Sequence, residues 1–455
     1  MTYLLILLLT TLSHCKINLR INKQINLSDT LIEEVYSITA QNLFDYNVKR
    51  FSFSFTDPFF QSLKILKFFE GSTLLSTKSD IHENHFTFNF QTPKKSDETF
   101  AIKIVAYYFK AFNFVPDKLK INEDQKIEFI DSILNLKFEQ DVTIEKVYGK
   151  YIVPSQIHSF SRNHIYTELR NSQGQKELVL NDIFPPFTDK EFRVHFTLDR
   201  SFETLTTALK SVELSMWGNL KLNYDFRIVN EAAELDGELS NIDYMPHMTN
   251  TGKNSLRQNR LFLPRDVWRL SLTDEVGNLT RCLANYHNEE EIDLVIIPRF
   301  SLFGNWKSTY WISYNQWSSK YLSQSIQNPS LFKLETSFTH ILGTTLTKEY
   351  TLQFCLPEFA IFKGFDSPFA FTEQTVTKSF GLFEYFGKDC YSYRYENIIE
   401  KVHKKSVAVY FEYQPSLIYV KLVYLVSALT LLFVLVFLGA RVDLSFESQK
   451  KVKID

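Results

Sequence analysis

Glycine and methionine are scarce in this chain, 13 and 4 of 455 residues, and cysteine is limited to four. No excess of either charge is present. Lys and Arg number 50 against 52 Asp and Glu, a net of −2, which removes the electrostatic footprint of a nucleic-acid binder. The signatures of common catalytic centres are missing as well: there is no GxSxG elbow, HExxH pair, Walker loop or CxxC. Helical periodicity is rare outside one C-terminal run, and strands do not alternate regularly with helical stretches, which argues against an α/β core. What is abundant is aromatic: 42 Phe and 23 Tyr. Aromatic and β-branched residues favour pleated, half-buried surfaces, so a mainly β architecture is predicted.

Both ends carry targeting features. The N-terminus, MTYLLILLLTTLSHC, has an apolar run over residues 4–12 broken only by Thr10 and Thr11, then small-residue spacing before Lys16. It is too short to span a bilayer and reads as a signal peptide, residues 1–15, although no Lys or Arg precedes it. Residues 422–440 contain no charged side chain and extend about 28 Å as a helix, enough for one crossing. Tyr419 and Tyr424 suit an aromatic belt, and Lys421 and Arg441 bracket the run. The remaining tail carries Lys450, Lys451 and Lys453, which fits the cytosolic side. The expectation is a type I membrane protein with a transmembrane helix over 419–440, a cytosolic tail over 441–455 and everything before the helix luminal.

Between the ends, period-two alternation recurs, as expected of strands with one buried face. FSFSF places Phe51, Phe53 and Phe55 on one side, and HFTFNF repeats the pattern with Phe86, Phe88 and Phe90. TFAIKIVAYYF, EFRVHFTLD, VELSMWGNLKLNYDFRIVN, EIDLVIIPRF, STYWISYNQW, EYTLQFCLPEFAIF and SVAVYFEY follow. Stacked antiparallel sheets are predicted, as two β-sandwich-like domains over 16–205 and 206–418. The boundary is placed where EFRVHFTLD gives way to the polar SFETLTTALKS. The polar residues 240–260 read as an exposed loop of the second domain. With Cys15 removed, Cys282, Cys355 and Cys390 remain in an oxidising compartment. Cys355 and Cys390, on neighbouring strand-like segments, are the preferred disulfide.

Candidate chemical groups are few. Glu289, Glu290, Glu291 and Asp293 could be proposed as a metal site but read better as a solvated acidic loop before a buried strand. His82 and His85 lack further ligands nearby and read as a strand–turn surface pair. Trp306, Trp311 and Trp317 could stack a sugar or a peptide, but at mixed spacing on strands they read as core. No catalytic, cofactor-binding or metal residue is assigned, and no cofactor is called for. Two sequons lie on the expected luminal side, Asn26-Leu27-Ser28 and Asn278-Leu279-Thr280, and Asn26 and Asn278 are predicted N-glycosylation sites. Lys451 and Lys453 have the spacing, counted from the carboxyl end, of a dilysine retrieval signal for the endoplasmic reticulum.

Several ordered motifs point to one family: SMWGN at 215–219, TDEVGNLT at 273–280, PRFSLFGNW at 298–306, DSP at 366–368 and ARVDLSF at 440–446. In order and spacing, over roughly half the chain, they resemble ribophorin I. The first domain matches only loosely, through its AYYF strand and residues 148–153 before 159–162. Departures stand at Met216, where a His is usual, Thr273 for Arg, Ser301 for Pro, and Asn305 for the second Gly of a Gly-Gly-Trp turn. The long cytosolic coiled coil of animal members is not expected in this sequence, so nothing that depends on it carries over. The resemblance implies a non-catalytic subunit of the oligosaccharyltransferase complex of the endoplasmic reticulum membrane. It implies as partners the other subunits of that complex, including the multi-spanning catalytic one, together with nascent polypeptides. Two other readings share the topology: an accessory subunit of another membrane transferase, such as the one attaching glycolipid anchors, and a cargo-binding receptor.

Overall fold

The computed structural model describes residues 17–441 except 45, 57–58, 79–80, 121–122, 133, 140–141, 155, 161–165, 171–175, 184–190, 199–200, 239–254, 287–290, 344–345, 382–383 and 385. Residues 1–15, expected to be a signal peptide, and residues 442–455 of the expected tail, with Lys451 and Lys453, therefore lie outside the described residues.

The architecture is mainly β. In the first unit, strict alternation in INLRINKQIN turns Ile17, Leu19, Ile21 and Ile25 inward along the strand Ile17–Asn26. That strand lies inside an eight-stranded sheet, between Leu31–Asn42 and Val142–Val153. Smaller sheets cover it. One of them pairs Val48–Phe55 with Phe86–Lys94, and this is where FSFSF meets HFTFNF. Phe53 packs against Phe86 and Phe88 at ring separations of 5.7 and 5.9 Å, and Phe68 of the large sheet stacks on Phe88 at 4.0 Å. Each such ring taken from water contributes about 1.5–3 kcal/mol before chain entropy is charged against it.

The second unit is built on a seven-stranded sheet ordered Trp268–Asp274, Lys307–Trp317, Asn219–Asn230, Glu203–Leu214, Leu346–Cys355, Lys388–Ile398 and Glu373–Ser379. A four-stranded sheet containing Leu331–Ser337, Ser406–Glu412 and Ile361–Asp366 and a three-stranded sheet share its core. Most strand pairs are antiparallel, as expected, and each large sheet also holds one parallel pair: Ile17–Asn26 with Val142–Val153, and Glu203–Leu214 with Leu346–Cys355.

Two segments differ from their sequence reading. SFETLTTALKS, read as a polar stretch ahead of the next strands, is itself largely strand, because Glu203–Leu214 is a central strand. A register shift between Leu205 and Thr207 interrupts the alternation, so Leu205 and then Ala208, Lys210, Val212 and Leu214 all reach the core, which hides the period from a sequence scan. VELSMWGNLKLNYDFRIVN is two strands, joined by a turn at 215–218 with Gly218 at φ +93°. Of the loop expected at 240–260, residues 239–254 lie outside the described residues, while Ser255, Leu256 and Asn259 are buried.

The buried side chains part into a cluster running from Ile17 to Phe202 with Ala232, and another running from Leu205 to Tyr413. A third, smaller cluster draws Leu31, Ile65, Val105, Tyr107 and Phe109 from the first unit and Leu346 and Ile399 from the second. The units are thus packed against each other through apolar side chains.

The second unit is followed by the helix Ile418–Gly439. Its 22 residues extend about 33 Å, and its apolar stretch is entirely unburied. Its Ser and Thr hydroxyls bond within the helix: Ser427 Oγ donates to the Tyr424 carbonyl and Thr430 Oγ1 to that of Val426.

Candidate functional site: the junction of the two units

Lys23 occupies the inward register of Ile17, Leu19, Ile21 and Ile25 and is 1 % exposed. Its Nζ donates to Asp131 Oδ1 at 2.9 Å and Oδ2 at 2.8 Å and to the Ser132 carbonyl at 2.7 Å, and lies 3.2 Å from Glu34 Oε1. Glu34 also accepts from Tyr36 (2.7 Å), Tyr108 (2.6 Å) and Asn135 Nδ2 (3.2 Å), while Asp131 accepts from Tyr151 and Asn135, both at 2.8 Å. Burial pushes the Glu34 carboxyl up, opposed by Lys23 and reinforced by the Asp131 charge. The Tyr36 and Tyr108 phenols are raised well above their ordinary value, first by burial and then by Glu34. This network welds together five strands.

Asp131 and Ser132 form part of the wall of a cleft of about 680 Å³ between the units. Phe59 and Phe112 give it apolar surface, and Lys64, Lys110, Glu231 and Lys348 also line it. Glu231 Oε1 lies 2.6 Å from Lys348 Nζ and accepts from Thr204 Oγ1 at 2.9 Å, while Oε2 meets Lys110 of the first unit at 3.4 Å. Burial alone would raise the Glu231 carboxyl, but Lys348, Thr204 and Lys110 hold it below the ordinary value. Lys64 is shifted down, by burial and then by the Lys348 charge. The other acids of the wall are engaged elsewhere, Asp131 by Lys23 and Glu128 by Arg193 and His195 at 3.3 and 3.0 Å. Three ammonium groups of the lining therefore share one carboxylate, which suits a ligand rich in carbonyl or anionic oxygen.

Residues 230–236 hold the units together by backbone. The Ala233 amide donates to Gln125 Oε1 at 3.0 Å, and Glu234–Leu235 pairs in parallel with Lys118–Leu119. PRFSLFGNW closes over this segment. Asn230 Nδ2 donates to the Leu302 carbonyl (2.9 Å), the Asn305 amide donates to Asn230 (2.7 Å), and Gly304 lies so close that a Cβ there would be 2.0 Å from the Ala233 oxygen. Arg299 of the same motif bonds Asp274 of TDEVGNLT at 2.7 Å. Asp274 also accepts from the amides of Val276 and Gly277, and although burial pushes its carboxyl up, these partners hold it below the ordinary value. The two motifs thus act as one piece of scaffold.

Asn278 and Thr280 of the second sequon are exposed on the loop that Asp274 organises. Asn26 is half-buried at the end of its strand, and its Oδ1 accepts from the Ser28 amide and hydroxyl at 3.0 and 2.5 Å. Cys355 and Cys390 stand directly opposite on neighbouring strands and are joined, S–S 2.00 Å, while Cys282 is free and half-buried. His85 pairs with Glu139 at 2.5 Å. Of the acidic cluster, Glu289 and Glu290 lie outside the described residues, Glu291 opens a strand, and Asp293 lies 3.8 Å from Arg260. Among the described residues no three His, Cys, Asp or Glu are placed to hold a metal ion.

The tryptophans require a correction. Trp306 packs on Phe303 at 5.4 Å, but Trp311 and Trp317 are exposed, because on Lys307–Trp317 it is Tyr310, Ile312 and Tyr314 that face the core. Glu34, Asp131 and Glu231 were not singled out from the sequence, and neither was Lys23. A signal existed for Lys23 and Glu34, since each interrupts an apolar register at an inward position of a strand.

Asn278 is expected to carry an N-glycan, since its exposed loop leaves the side chain free of the fold. Endoglycosidase treatment should lower the band of the wild-type protein, and Asn278→Gln should remove that step; a band unmoved by digestion would contradict the assignment at both sequons. Asn26, about eleven residues past the proposed cleavage site and half-buried after folding, should show lower occupancy.

Fold and junction together define a two-unit β protein with, among the described residues, one helix long and apolar enough to cross a membrane. The Ribophorin I family model matches residues 16–440, and the chain belongs to that family. It is similar to the dolichyl-diphosphooligosaccharide–protein glycosyltransferase subunit 1 of Caenorhabditis elegans, 27 % identical over 260 residues, covering 53 % of this chain and 43 % of that one. Subunit 1A of Arabidopsis thaliana is 23 % identical over 360 residues (78 % and 56 %), and subunit 1B of Oryza sativa subsp. japonica is 24 % identical over 358 (78 % and 73 %). The match thus spans about half the length of the first two relatives. Among solved structures, an M1 zinc metallopeptidase from Deinococcus radiodurans aligns over 46 % of this chain and 42 % of that one, with a TM-score of 0.27 and 9 % identity, a likeness too slight to bear on fold or activity.

Proposed function

We propose that the protein is a non-catalytic subunit of the oligosaccharyltransferase complex in the endoplasmic reticulum membrane, with its β units in the lumen. The observation that carries this reading is the family match over residues 16–440, joined by relatives named as subunit 1 of that glycosyltransferase. Transfer from dolichyl pyrophosphate needs a divalent metal site and a lipid-accessible groove, which a chain with one membrane helix is poorly suited to build. Catalysis is assigned to the multi-spanning partner. This chain holds or orients nascent acceptor polypeptide and stabilises the assembly. The cleft between the units supports the first role: about 680 Å³ of space joins apolar surface to lysines that can donate to backbone carbonyls. Holding an acceptor near the catalytic subunit raises its local concentration, which helps most where encounter is slow. The glycolipid-anchor and cargo-receptor readings have no comparable support.

Depletion of the protein is expected to lower N-glycan occupancy at a subset of sequons without abolishing it, as read by glycopeptide mass spectrometry, while donor lipid levels stay constant. Unchanged occupancy everywhere would contradict the role, and a fall in donor would redirect it to donor synthesis.

The cleavable signal over 1–15, the division near 205/206, the tail over 441–455 and retrieval through Lys451 and Lys453 belong to the same proposal. A reporter carrying only the helix and tail should reach the cell surface when both lysines are replaced by Ser; its retention would contradict the retrieval signal.

A further inference from the structure

The strand directions of the second unit give it two ends. One faces the first unit. The other gathers the turn 215–218, the Cys355–Cys390 disulfide, Phe359, Phe386, the loop 325–330 and the start of the terminal helix. Large apolar side chains are exposed there: Ile326 is 100 % exposed, Phe380 67 % and Trp217 61 %, with Ile361, Phe386 and Phe359 close behind.

Nothing separates this end from the helix. The strand Ser406–Glu412 is followed by only Tyr413 and Gln414 before the turn Pro415–Leu417. Tyr413 is buried, its amide bonded to the Ser330 carbonyl at 2.8 Å, and Trp217, Phe359, Tyr413, Leu417 and Ile418 line one small cavity. The β unit therefore cannot rise away from the base of the helix. Depth follows from a single ring contact: Tyr424 lies two residues, about 3 Å, into the charge-free stretch that begins at Leu422, and the Phe386 ring sits 6.3 Å from it. Phe359 in turn packs on Phe386 at 5.2 Å. Two charge pairs nearby neutralise each other, Lys388 with Glu384 at 2.6 Å and Lys363 with Glu412 at 2.9 Å. Aromatic rings among neutralised charges at the level where a spanning helix meets hydrocarbon match the headgroup zone of a bilayer.

We propose that this end of the second β unit is itself a lipid-contacting surface, with Trp217, Phe359 and Phe386 set into the headgroup zone of the membrane the helix crosses, fixing the tilt of the β units above it. The proposal rests on the membrane reading of the helix. The test uses the full chain with Cys282→Ser and one added cysteine, labelled with an environment-sensitive fluorophore and reconstituted into phosphatidylcholine vesicles containing a lipid spin-labelled just below the headgroup. A label at Phe386→Cys is expected to lose most of its intensity, and one at Val276→Cys, far from this end, to lose none. Leu431→Cys, mid-helix, reports the membrane reading on its own through a deep spin label. Quenching at 431 with none at 386 overturns the lipid surface alone, whereas no quenching at 431 overturns both readings. If in the purified complex the label at 386 is shielded from lipid and cross-links to another subunit, the surface is a protein interface and the proposal fails.

Discussion

Lys23→Met should destabilise the first β unit by about 3–5 kcal/mol, the cost of leaving buried carboxylates without their counter-ion. Glu34 and Asp131 are fully buried and share this one ammonium, and the remaining partners are neutral donors from Tyr36, Tyr108, Tyr151 and Asn135. In thermal unfolding of the full chain in detergent, this corresponds to a melting temperature lower by about 6–20 °C for a unit of this size. The deficit should depend on pH with a definite sign. Glu34 is already raised above its ordinary value by burial, and without Lys23 it rises further, so the folded variant must bind protons that the unfolded chain releases. Its stability therefore falls as pH increases from the ordinary carboxylate range towards neutrality, and the gap to wild type widens. Combining Lys23→Met with Glu34→Gln and Asp131→Asn should recover much of the loss. A single variant within about 2 °C of wild type would contradict a stabilising role for the network.

Gly304→Ala should act on the segment that ties the second unit to the first. The new Cβ would stand 2.0 Å from the Ala233 carbonyl oxygen and 2.6 Å from that of Ala232, and both are backbone atoms that no rotamer change can move. The segments 302–306 and 230–234 must part, at a cost of about 3 kcal/mol or more. Because residues 230–236 carry the backbone bonds to the first unit, limited proteolysis should open near 230–236 in the variant and not in wild type. Gly364→Ala, with nothing within 4 Å of its Cβ position, serves as the matched substitution and should change neither reading. An unaltered cleavage pattern in Gly304→Ala would mean that PRFSLFGNW does not hold the junction closed.

The parts of this fold that were legible in the sequence are those set by local periodicity. FSFSF and HFTFNF show their buried faces directly, and the charge-free run 422–440 nearly coincides with the helix Ile418–Gly439. Features set by partners distant in sequence were not legible. The strand Glu203–Leu214 was masked by its register shift, and its parallel partner begins more than 140 residues later. Trp311 and Trp317 were read as core because their side of the strand depends on which residues face the other sheet. The junction escaped notice for a similar reason: Glu231, Lys110 and Lys348 are far apart along the chain, and only the packing of the two units makes them neighbours. Lys23 is the instructive exception, since a lysine at the inward step of an apolar alternation already demands a buried acid.

Purification of the intact protein from its own membranes in mild detergent tests its membership of the complex. The multi-spanning catalytic glycosyltransferase subunit is expected to be recovered with it in near-equal amount, with sugar transfer to an acceptor peptide belonging to the complex and not to this chain alone. Recovery of the chain without that subunit, or transfer by the isolated β units, would contradict the proposed role.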